Sequence, residues 1–213
     1  MKRYNNAIAP YHLQRALDWI MTHSENPLPI LEPDFDINDD SRRYAKKIRN
    51  LTQCDPNFWQ EWFEVSGLNS LVKNRLRQPR LLRHAAFIKR HADESFIPLH
   101  QDIALWEKRW ESAQTFWVAL TPSRKENGGM FYSQHTHTIY PHEFDLRYPM
   151  FKCIDLEKNE IMTTDLLDAP LDNGDILVWP ARTPHGSYKN SSGELRIGMP
   201  VVFVDEEEYQ QLM

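Results

Sequence analysis

The stretch FIPLHQDIALW, residues 96 to 106, sets a histidine and a carboxylate two positions apart in an otherwise apolar run. Burying such groups without partners costs several kcal/mol, roughly, so a compensating partner is expected. On a β-strand, residues i and i+2 point to the same face, and His100 and Asp102 would then converge on one point. The pattern therefore predicts either two ligands of a metal ion or a hydrogen-bonded pair.

The same His-x-Asp pattern occurs a second time, as His91-Ala92-Asp93. This copy lies in KRHADES, a polar stretch that indicates a turn with solvated side chains. Only the copy at residues 100 to 102 lies in an apolar run typical of a buried strand. We therefore predict that His100 and Asp102, rather than His91 and Asp93, hold a metal.

A candidate third ligand is His185, which begins the predicted strand HGSYKN after the run GDILVWPARTP. Eleven residues further on, Arg196 lies in the next predicted strand, beyond the turn NSSGE. A hairpin between these strands would bring His185 and Arg196 within reach of one small ligand. The apolar neighbours of Arg196 predict that it points inward, where its planar guanidinium would suit a carboxylate.

The chain has two parts with different hydrophobic patterns. Up to about residue 80 the chain is predicted to be mainly helical, with helices in PYHLQRALDWIMTH, SRRYAKKIRNLTQ and DPNFWQEWFEVSG. Ser41 and Asp55 are candidate N-caps, and a Pro- and Asp-rich loop, SENPLPILEPDFDINDD, separates the first two helices. Residues 81–204 instead carry short apolar runs divided by turn signals, which indicate a β-sandwich or barrel. We predict one domain over 1–213.

Composition narrows the function classes. The formal net charge is −5, which argues against a nucleic-acid-binding surface. The two cysteines, Cys54 and Cys153, are too few for a disulfide framework. The start of the chain has no apolar segment typical of a signal peptide, and no apolar run reaches the ~18 residues of a membrane span. We therefore expect a cytoplasmic protein without a membrane or nucleic-acid partner.

The motifs LHQD, TFWVALTPSRKENGGM and GDILVWPARTPHGS, followed by the arginine of LRIG, together resemble the phytanoyl-CoA dioxygenase family of Fe(II)/2-oxoglutarate oxygenases. The resemblance covers roughly residues 85 to 204. It implies a mostly β protein with α-helices, in which N-terminal helices pack on a double-stranded β-helix, the jelly-roll or cupin-like form of the sandwich. It also implies Fe(II), with 2-oxoglutarate and O2 as cosubstrates.

The resemblance assigns roles to seven residues. His100, Asp102 and His185 would be the catalytic iron ligands, and Arg196 would pair with the far carboxylate of 2-oxoglutarate. Gln101, which matches the central glutamine of the family motif, would also belong to the cofactor-binding residues. Lys89 and Trp117 would belong there as well, because they fall where family members line the cosubstrate pocket. With a carboxylate at position 102, hydroxylation is favoured over halogenation, since related halogenases carry a small residue there.

The roles of several aromatic and histidine residues, and the reaction itself, are not fixed by the motifs. The stretch MFYSQHTHT replaces the usual Gly-Ser-His ending, so His135 and His137 could face substrate, serve as other ligands or be ordinary polar residues. Trp106 and Trp110 are expected to form a loop over the site mouth. The leading function is hydroxylation of a small molecule with release of succinate and CO2. The alternatives are a jelly-roll metal-binding protein without oxygenase activity, a nucleic-acid-repair oxygenase and a protein-residue hydroxylase. No motif specifies the substrate or an oligomeric state.

Overall fold

A computed structural model describes residues 1–25, 46–135 and 138–213 of the chain. The helices are α1 Pro10–Glu25, α2 Leu51–Cys54, α3 Pro56–Val65, α4 Leu68–Lys73, α5 Asp102–Leu105 and α6 Glu206–Leu212. The strands are β1 Lys2–Tyr4, β2 Lys47–Arg49, β3 Pro79–Lys89, β4 Ile97–His100, β5 Gln114–Ala119, β6 Met130–Ser133, β7 Glu143–Asp145, β8 Tyr148–Cys153, β9 Leu166–Ala169, β10 Ile176–Pro180, β11 His185–Ser187 and β12 Arg196–Asp205.

Two antiparallel sheets form the core. The larger sheet has six strands in the order β1-β10-β5-β12-β3-β2, and the smaller has four in the order β4-β11-β6-β9. Side chains of both sheets meet between them, as Trp117 and Trp179 of the larger sheet do with Met130 of the smaller. Strands β7 and β8 pair separately as a two-stranded ribbon. The predicted jelly-roll fold of the mostly β class is confirmed.

The strands at the centre of the larger sheet are buried on both faces. One face meets the smaller sheet, and the other packs against helices α1, α3 and α4 in the largest hydrophobic cluster. This double burial explains why β5, β10 and β12 are continuous apolar runs instead of alternating patterns. The N-terminal helices therefore pack on the β core, as predicted.

Helix α3 forms for the reasons that its sequence suggests. The Asp55 carboxylate accepts a hydrogen bond from the Phe58 amide at 3.1 Å, and Pro56 occupies the first helical position. Trp59 and Trp62, three residues apart, are fully buried against the larger sheet. These tryptophans are therefore part of the packing core.

Several local predictions were wrong. The described part of SRRYAKKIRNLTQ is strand β2 followed by the one-turn helix α2, with Asn50 in a left-handed conformation between them. Burial of Ile48 and pairing with β3 outweigh the helical pattern there. Ser41 and the loop at 26–40 lie outside the described residues. The end of the chain is helix α6, whose Tyr209 ring stacks on Trp110.

The predicted hairpin between the strands of His185 and Arg196 does not exist. Strand β11 belongs to the smaller sheet and β12 to the larger, so the turn at 188–195 crosses from one sheet to the other. The two residues nevertheless both face the space between the sheets. In the parts of the chain that the structure describes, no helix is long and apolar enough to cross a lipid bilayer.

Candidate metal centre

Two histidines and one aspartate converge at one end of the space between the sheets. His100 ends β4, and His185 begins β11 as its direct register partner. The His100 Nε2 atom lies 3.9 Å from Asp102 Oδ1, and the His185 Nε2 atom lies 3.9 Å from Asp102 Oδ2. One ligand atom from each residue lies within 4.8 Å of the others. A single ion can therefore contact all three side chains.

The way in which Asp102 reaches this point differs from the prediction. Only His100 is in a strand, because the chain leaves β4 at Gln101 and Asp102 begins the one-turn helix α5. Gln101 keeps an extended backbone, with φ −117° and ψ 127°. This geometry still turns the Asp102 carboxylate toward both imidazoles. The convergence was predicted correctly, but its explanation by i and i+2 positions of one strand was wrong.

Backbone carbonyls fix the orientation of both histidines. The Nδ1 atom of His100 lies 2.9 Å from the Pro98 carbonyl oxygen, and that of His185 lies 2.9 Å from the Thr183 carbonyl oxygen. Since a carbonyl only accepts, both Nδ1 atoms carry the proton, and both Nε2 lone pairs are available to a metal. Burial, aided by the neighbouring His185, lowers the pKa of His100 well below its usual value. This favours the neutral imidazole that binds metals.

The carboxylate ligand is held from the larger sheet. The Thr115 hydroxyl, on β5, donates a hydrogen bond to Asp102 Oδ2 at 3.3 Å. Thr115 is buried, whereas the Asp102 side chain retains 19% of its accessible surface. Asp102 is therefore oriented from behind while its oxygens remain open to the interior. Two imidazoles and one carboxylate with open positions are typical of non-haem Fe(II) oxygenases.

Arg196 lies on the same inner surface, in β12, with only 1% of its surface exposed. Its Nε and Nη2 atoms donate to the Gly128 carbonyl at 3.0 and 2.6 Å. Its Nη1 atom is buried and has no hydrogen-bond partner in the described part of the chain. Burial lowers the pKa of Arg196 to about 10, so the guanidinium stays charged near neutral pH. A buried cation with an unused donor matches an anionic ligand.

Lys89 is the register partner of Arg196 on the neighbouring strand β3. Its Nζ atom donates to the Ser187 hydroxyl at 3.0 Å, to the Ser95 carbonyl at 2.7 Å and to the Tyr188 carbonyl. Burial and the adjacent Arg196 guanidinium lower the pKa of Lys89 to about 6. The three acceptors around Nζ match the three N–H donors of the ammonium form, and an anion bound nearby would raise this pKa.

Trp117 faces the same interior from β5. Its ring stacks on Phe87, and the Arg196 guanidinium lies 5.5 Å from its centroid. Its indole Nε1 is buried without a partner among the described residues. A side chain at Gly198 would collide with this ring, so a glycine is needed at that position. The structure therefore groups Arg196, Lys89 and Trp117, as the resemblance implied.

Gln101 has a different environment from the one we predicted. Its amide nitrogen donates to the carbonyls of Thr138 and Arg182, and its amide oxygen accepts from the Tyr140 amide at 2.9 Å. The Gln101 backbone amide also donates to His142 Nε2 at 2.9 Å. Because backbone groups engage both ends of its side-chain amide, Gln101 holds the loops beside the metal ligands. We now assign it a positioning role.

The remaining histidine candidates do not join the metal ligands. His135 is exposed, and its Nε2 atom lies 3.8 Å from Asp165 Oδ2. His137 lies outside the described residues. Three residues that were not predicted also hydrogen-bond to predicted site residues. Thr115 contacts Asp102, Ser187 contacts Lys89, and His142 contacts Gln101. Only Ser187 carried a usable signal, since it lies two positions after His185 on one strand.

Comparison with known proteins identifies the family. The model of the phytanoyl-CoA dioxygenase family matches residues 9–198 of the chain. This protein therefore belongs to the phytanoyl-CoA dioxygenase family. No curated protein matches it.

Solved structures agree with the fold. AviO1 from Streptomyces viridochromogenes Tue57 is 17% identical, with a TM-score of 0.71 over 96% of this chain and 89% of its own. The 2-oxoglutarate-dependent carbocyclase SnoK from nogalamycin biosynthesis is 17% identical, with a TM-score of 0.71 over 95% and 78%. EvdO2 from Micromonospora carbonacea var. aurantiaca, solved with 2-oxoglutarate, is 22% identical, with a TM-score of 0.64 over 75% and 66%.

The residues present fit the cofactors of this family. The two Nε2 lone pairs and the Asp102 carboxylate provide the ligand set for Fe(II). The unused Nη1 donor of Arg196 and the unused Nε1 donor of Trp117 lie in the same interior and suit a dianion such as 2-oxoglutarate. The family match and the triad confirm the prediction of iron and 2-oxoglutarate as cofactors.

Proposed function

We propose that this protein is an Fe(II)/2-oxoglutarate-dependent dioxygenase that hydroxylates a small molecule. The observation that carries the proposal is the pairing of two features in one interior. One is a triad whose two histidines both present Nε2. The other is the buried guanidinium of Arg196 with an unused donor. A structural metal site would require the first feature but not the second.

In this proposal each residue has a distinct task. His100, Asp102 and His185 would hold the iron and leave coordination positions open for ligands. Arg196 binds the far carboxylate of 2-oxoglutarate, and Lys89 and Trp117 support that end of the pocket. Thr115 and Gln101 keep Asp102 and its loop in place. Iron with 2-oxoglutarate and O2 supplies oxidation of a substrate C–H bond, with release of succinate and CO2.

Similar structures belong to 2-oxoglutarate-dependent enzymes with different reaction outcomes. SnoN is described as an epimerase and SnoK as a carbocyclase, both dependent on 2-oxoglutarate. We favour hydroxylation because Asp102 fills the position that a halide would need. The proposed substrate is a small molecule, and the expected location is the cytoplasm.

The experiment is coupled turnover with product analysis. The purified protein with Fe(II), 2-oxoglutarate and O2 is screened against small molecules, and succinate release is measured together with product mass. Hydroxylation adds one oxygen atom, whereas epimerisation leaves the mass unchanged and ring closure removes two hydrogens. Stimulated succinate release with a hydroxylated product is expected. Tight metal binding without any succinate would instead support a jelly-roll protein that lacks oxygenase activity.

A further inference from the structure

Three basic residues, called the cationic wall, lie on the inner side of the larger sheet: Arg83 on β3, and Arg49 and Lys47 on β2. On β3, Lys89 and Phe87 face the smaller sheet and Trp117 respectively. Alternation along the strand places Ala85 and Arg83 on the same face. Arg83 pairs with Val202 of β12, and Val202 packs beside Ile103 of the metal-ligand helix α5. Arg83 therefore lies at the outer end of this inner surface.

The Arg83 guanidinium has an unusual environment. It lies 5.4 Å from the centroid of Trp106, the residue that follows helix α5. Among residues 1–25, 46–135 and 138–213, no carboxylate oxygen lies within 4.0 Å of it, and it donates no hydrogen bond. The Arg83 side chain is exposed, and nearby protein atoms that desolvate its guanidinium lower its pKa, which the Asp102 carboxylate raises and Arg49 lowers. The Arg83 guanidinium therefore interacts electrostatically with Asp102 but forms no ion pair with the described residues.

Strand β2 adds two more cations to the wall. Arg49 pairs with Ala85, and Lys47 pairs with Phe87, whose ring centroid lies 4.7 Å from the Lys47 Nζ atom. The intervening Ile48 is buried on the helical side, so both cations lie on the inner side of the sheet.

We propose that this protein selects a substrate that carries an oxyanion group, a carboxylate or a phosphate monoester, which Arg83 binds. The inference rests on the proposed oxygenase function. A guanidinium that lies over an aromatic ring keeps its N–H groups available and can offer two parallel donors to such a group. The oxidised carbon then lies between the anchored group and the iron.

The test uses fluorinated probes and the paramagnetism of the metal. Enzyme loaded anaerobically with Fe(II) and saturating 2-oxoglutarate, which occupies the Arg196 end, is titrated with three compounds. These are 4-(trifluoromethyl)benzoate, 4-(trifluoromethyl)phenyl phosphate and the neutral 4-(trifluoromethyl)benzamide. Broadening of the fluorine resonance measures binding near the iron, and Zn(II)-loaded enzyme provides the diamagnetic reference. The charge-transfer band of the Fe(II)/2-oxoglutarate chelate is recorded in the same samples.

Two matched variants decide the assignment. Arg83→Gln removes the charge, whereas Arg80→Gln removes an equivalent guanidinium that lies 4.9 Å from the Tyr209 ring. We expect at least one anion to bind at least tenfold more tightly than the amide in the wild type and in Arg80→Gln. Arg83→Gln should lose at least tenfold of this affinity while keeping the charge-transfer band. Whether the carboxylate or the phosphate binds identifies the group.

Three results would overturn the inference. The amide could bind as well as the anions, no probe could bind, or Arg83→Gln could retain anion affinity. A variant that loses iron affinity but not anion affinity would show that Arg83 serves only to balance the charge of Asp102. Absence of the charge-transfer band in the wild type would instead remove the proposed function itself. The two failures are therefore distinguishable.

Discussion

The two His-x-Asp segments of this chain share a sequence pattern but differ in structure: the side chains converge in one segment and are separated in the other. At residues 100–102, both side chains turn toward His185 in the space between the sheets. At residues 91–93, His91 is exposed and its Nδ1 contacts the Ser192 carbonyl, while Asp93 is buried elsewhere. The Asp93 carboxylate accepts from the Ser95 amide at 2.8 Å and lies 3.4 Å from the Lys46 Nζ atom.

The central residue accounts for much of the difference. Ala92 has a φ of 56°, in the left-handed region, and this turn separates the side chains on either side of it. Gln101 is extended and fully buried, and the hydrogen bonds of its amide keep the backbone in that conformation. A short metal-ligand motif is therefore defined by the backbone between its ligands as much as by the ligands.

The largest expected effect separates the two copies directly. His100→Ala or Asp102→Ala should reduce iron-dependent succinate release to background, because each removes one of the three ligands. His91→Ala should leave turnover near that of the wild type, since its ring lies on the surface. Succinate production under identical metal loading provides the measurement. An inactive His91→Ala protein that is still folded would reverse our choice between the copies.

A second expected effect concerns the other end of the interior. Arg196→Gln should weaken 2-oxoglutarate binding by about tenfold to a hundredfold, since charge-assisted hydrogen bonds contribute about 1.5–3 kcal/mol. Iron binding should remain, because Arg196 is not a ligand. Titration of the Fe(II)-loaded protein with 2-oxoglutarate measures both. The surface variant Arg80→Gln is the control, and equal affinity in the two variants would refute the anchoring role of Arg196.

A third prediction tests whether Asp102 depends on its support. Thr115→Val removes the hydroxyl that donates to Asp102 Oδ2. Loss of such an outer hydrogen bond typically costs about tenfold to a hundredfold in metal affinity. Thr115→Ser restores the hydroxyl and should recover most of that loss. If the valine variant binds Fe(II) as tightly as the wild type in competition with a chelator, the Thr115 contact has no orienting role.

The smallest effect is a dependence of metal-free stability on pH. Burial keeps the pKa of His100 below its ordinary value, so between those two pKa values the unfolded chain binds a proton that the folded chain does not. The contribution of His100 to the free energy of unfolding is therefore greatest above about pH 6.5. It falls in more acidic solution by about 1.4 kcal/mol per pH unit. His84, whose pKa burial lowers to about 3, adds the same acid sensitivity to every variant.

Chemical unfolding of the metal-free proteins between pH 7 and 5 measures this slope. His100→Ala should lose stability less steeply than the wild type as the pH falls, whatever its stability at pH 7. His91→Ala should retain the wild-type slope. Parallel curves for wild type and His100→Ala would show that His100 takes up its proton in the folded state as readily as in the unfolded chain.

The sequence predicted the convergence of His100, Asp102 and His185 better than the paths by which the chain brings them together. Apolar runs around His100, His185 and Arg196 indicated buried strands, and burial of polar groups required partners, so these residues could be found. Their pairing could not, because the turn after β11 crosses between sheets rather than forming a hairpin. Strand β2 was missed for a similar reason: its pairing with β3 is a long-range contact that local periodicity does not contain.

The groups that support the ligands were the hardest to predict. Thr115 lies in the continuous apolar run of β5, and its contact with Asp102 depends on how the two sheets face each other. The role of Gln101 depended on loop carbonyls at Thr138 and Arg182, whose positions follow from the whole fold. Such contacts are set by tertiary structure and leave no local pattern.

The most direct test of the central claim is an anaerobic titration with Fe(II) and 2-oxoglutarate, followed through the visible metal-to-ligand charge-transfer band. We predict that the wild type and His91→Ala form the band, and that His100→Ala and His185→Ala do not. This result would place the cosubstrate on iron held by the triad. A wild-type protein that binds metal but forms no band, or a band that survives loss of His100 and His185, would contradict it.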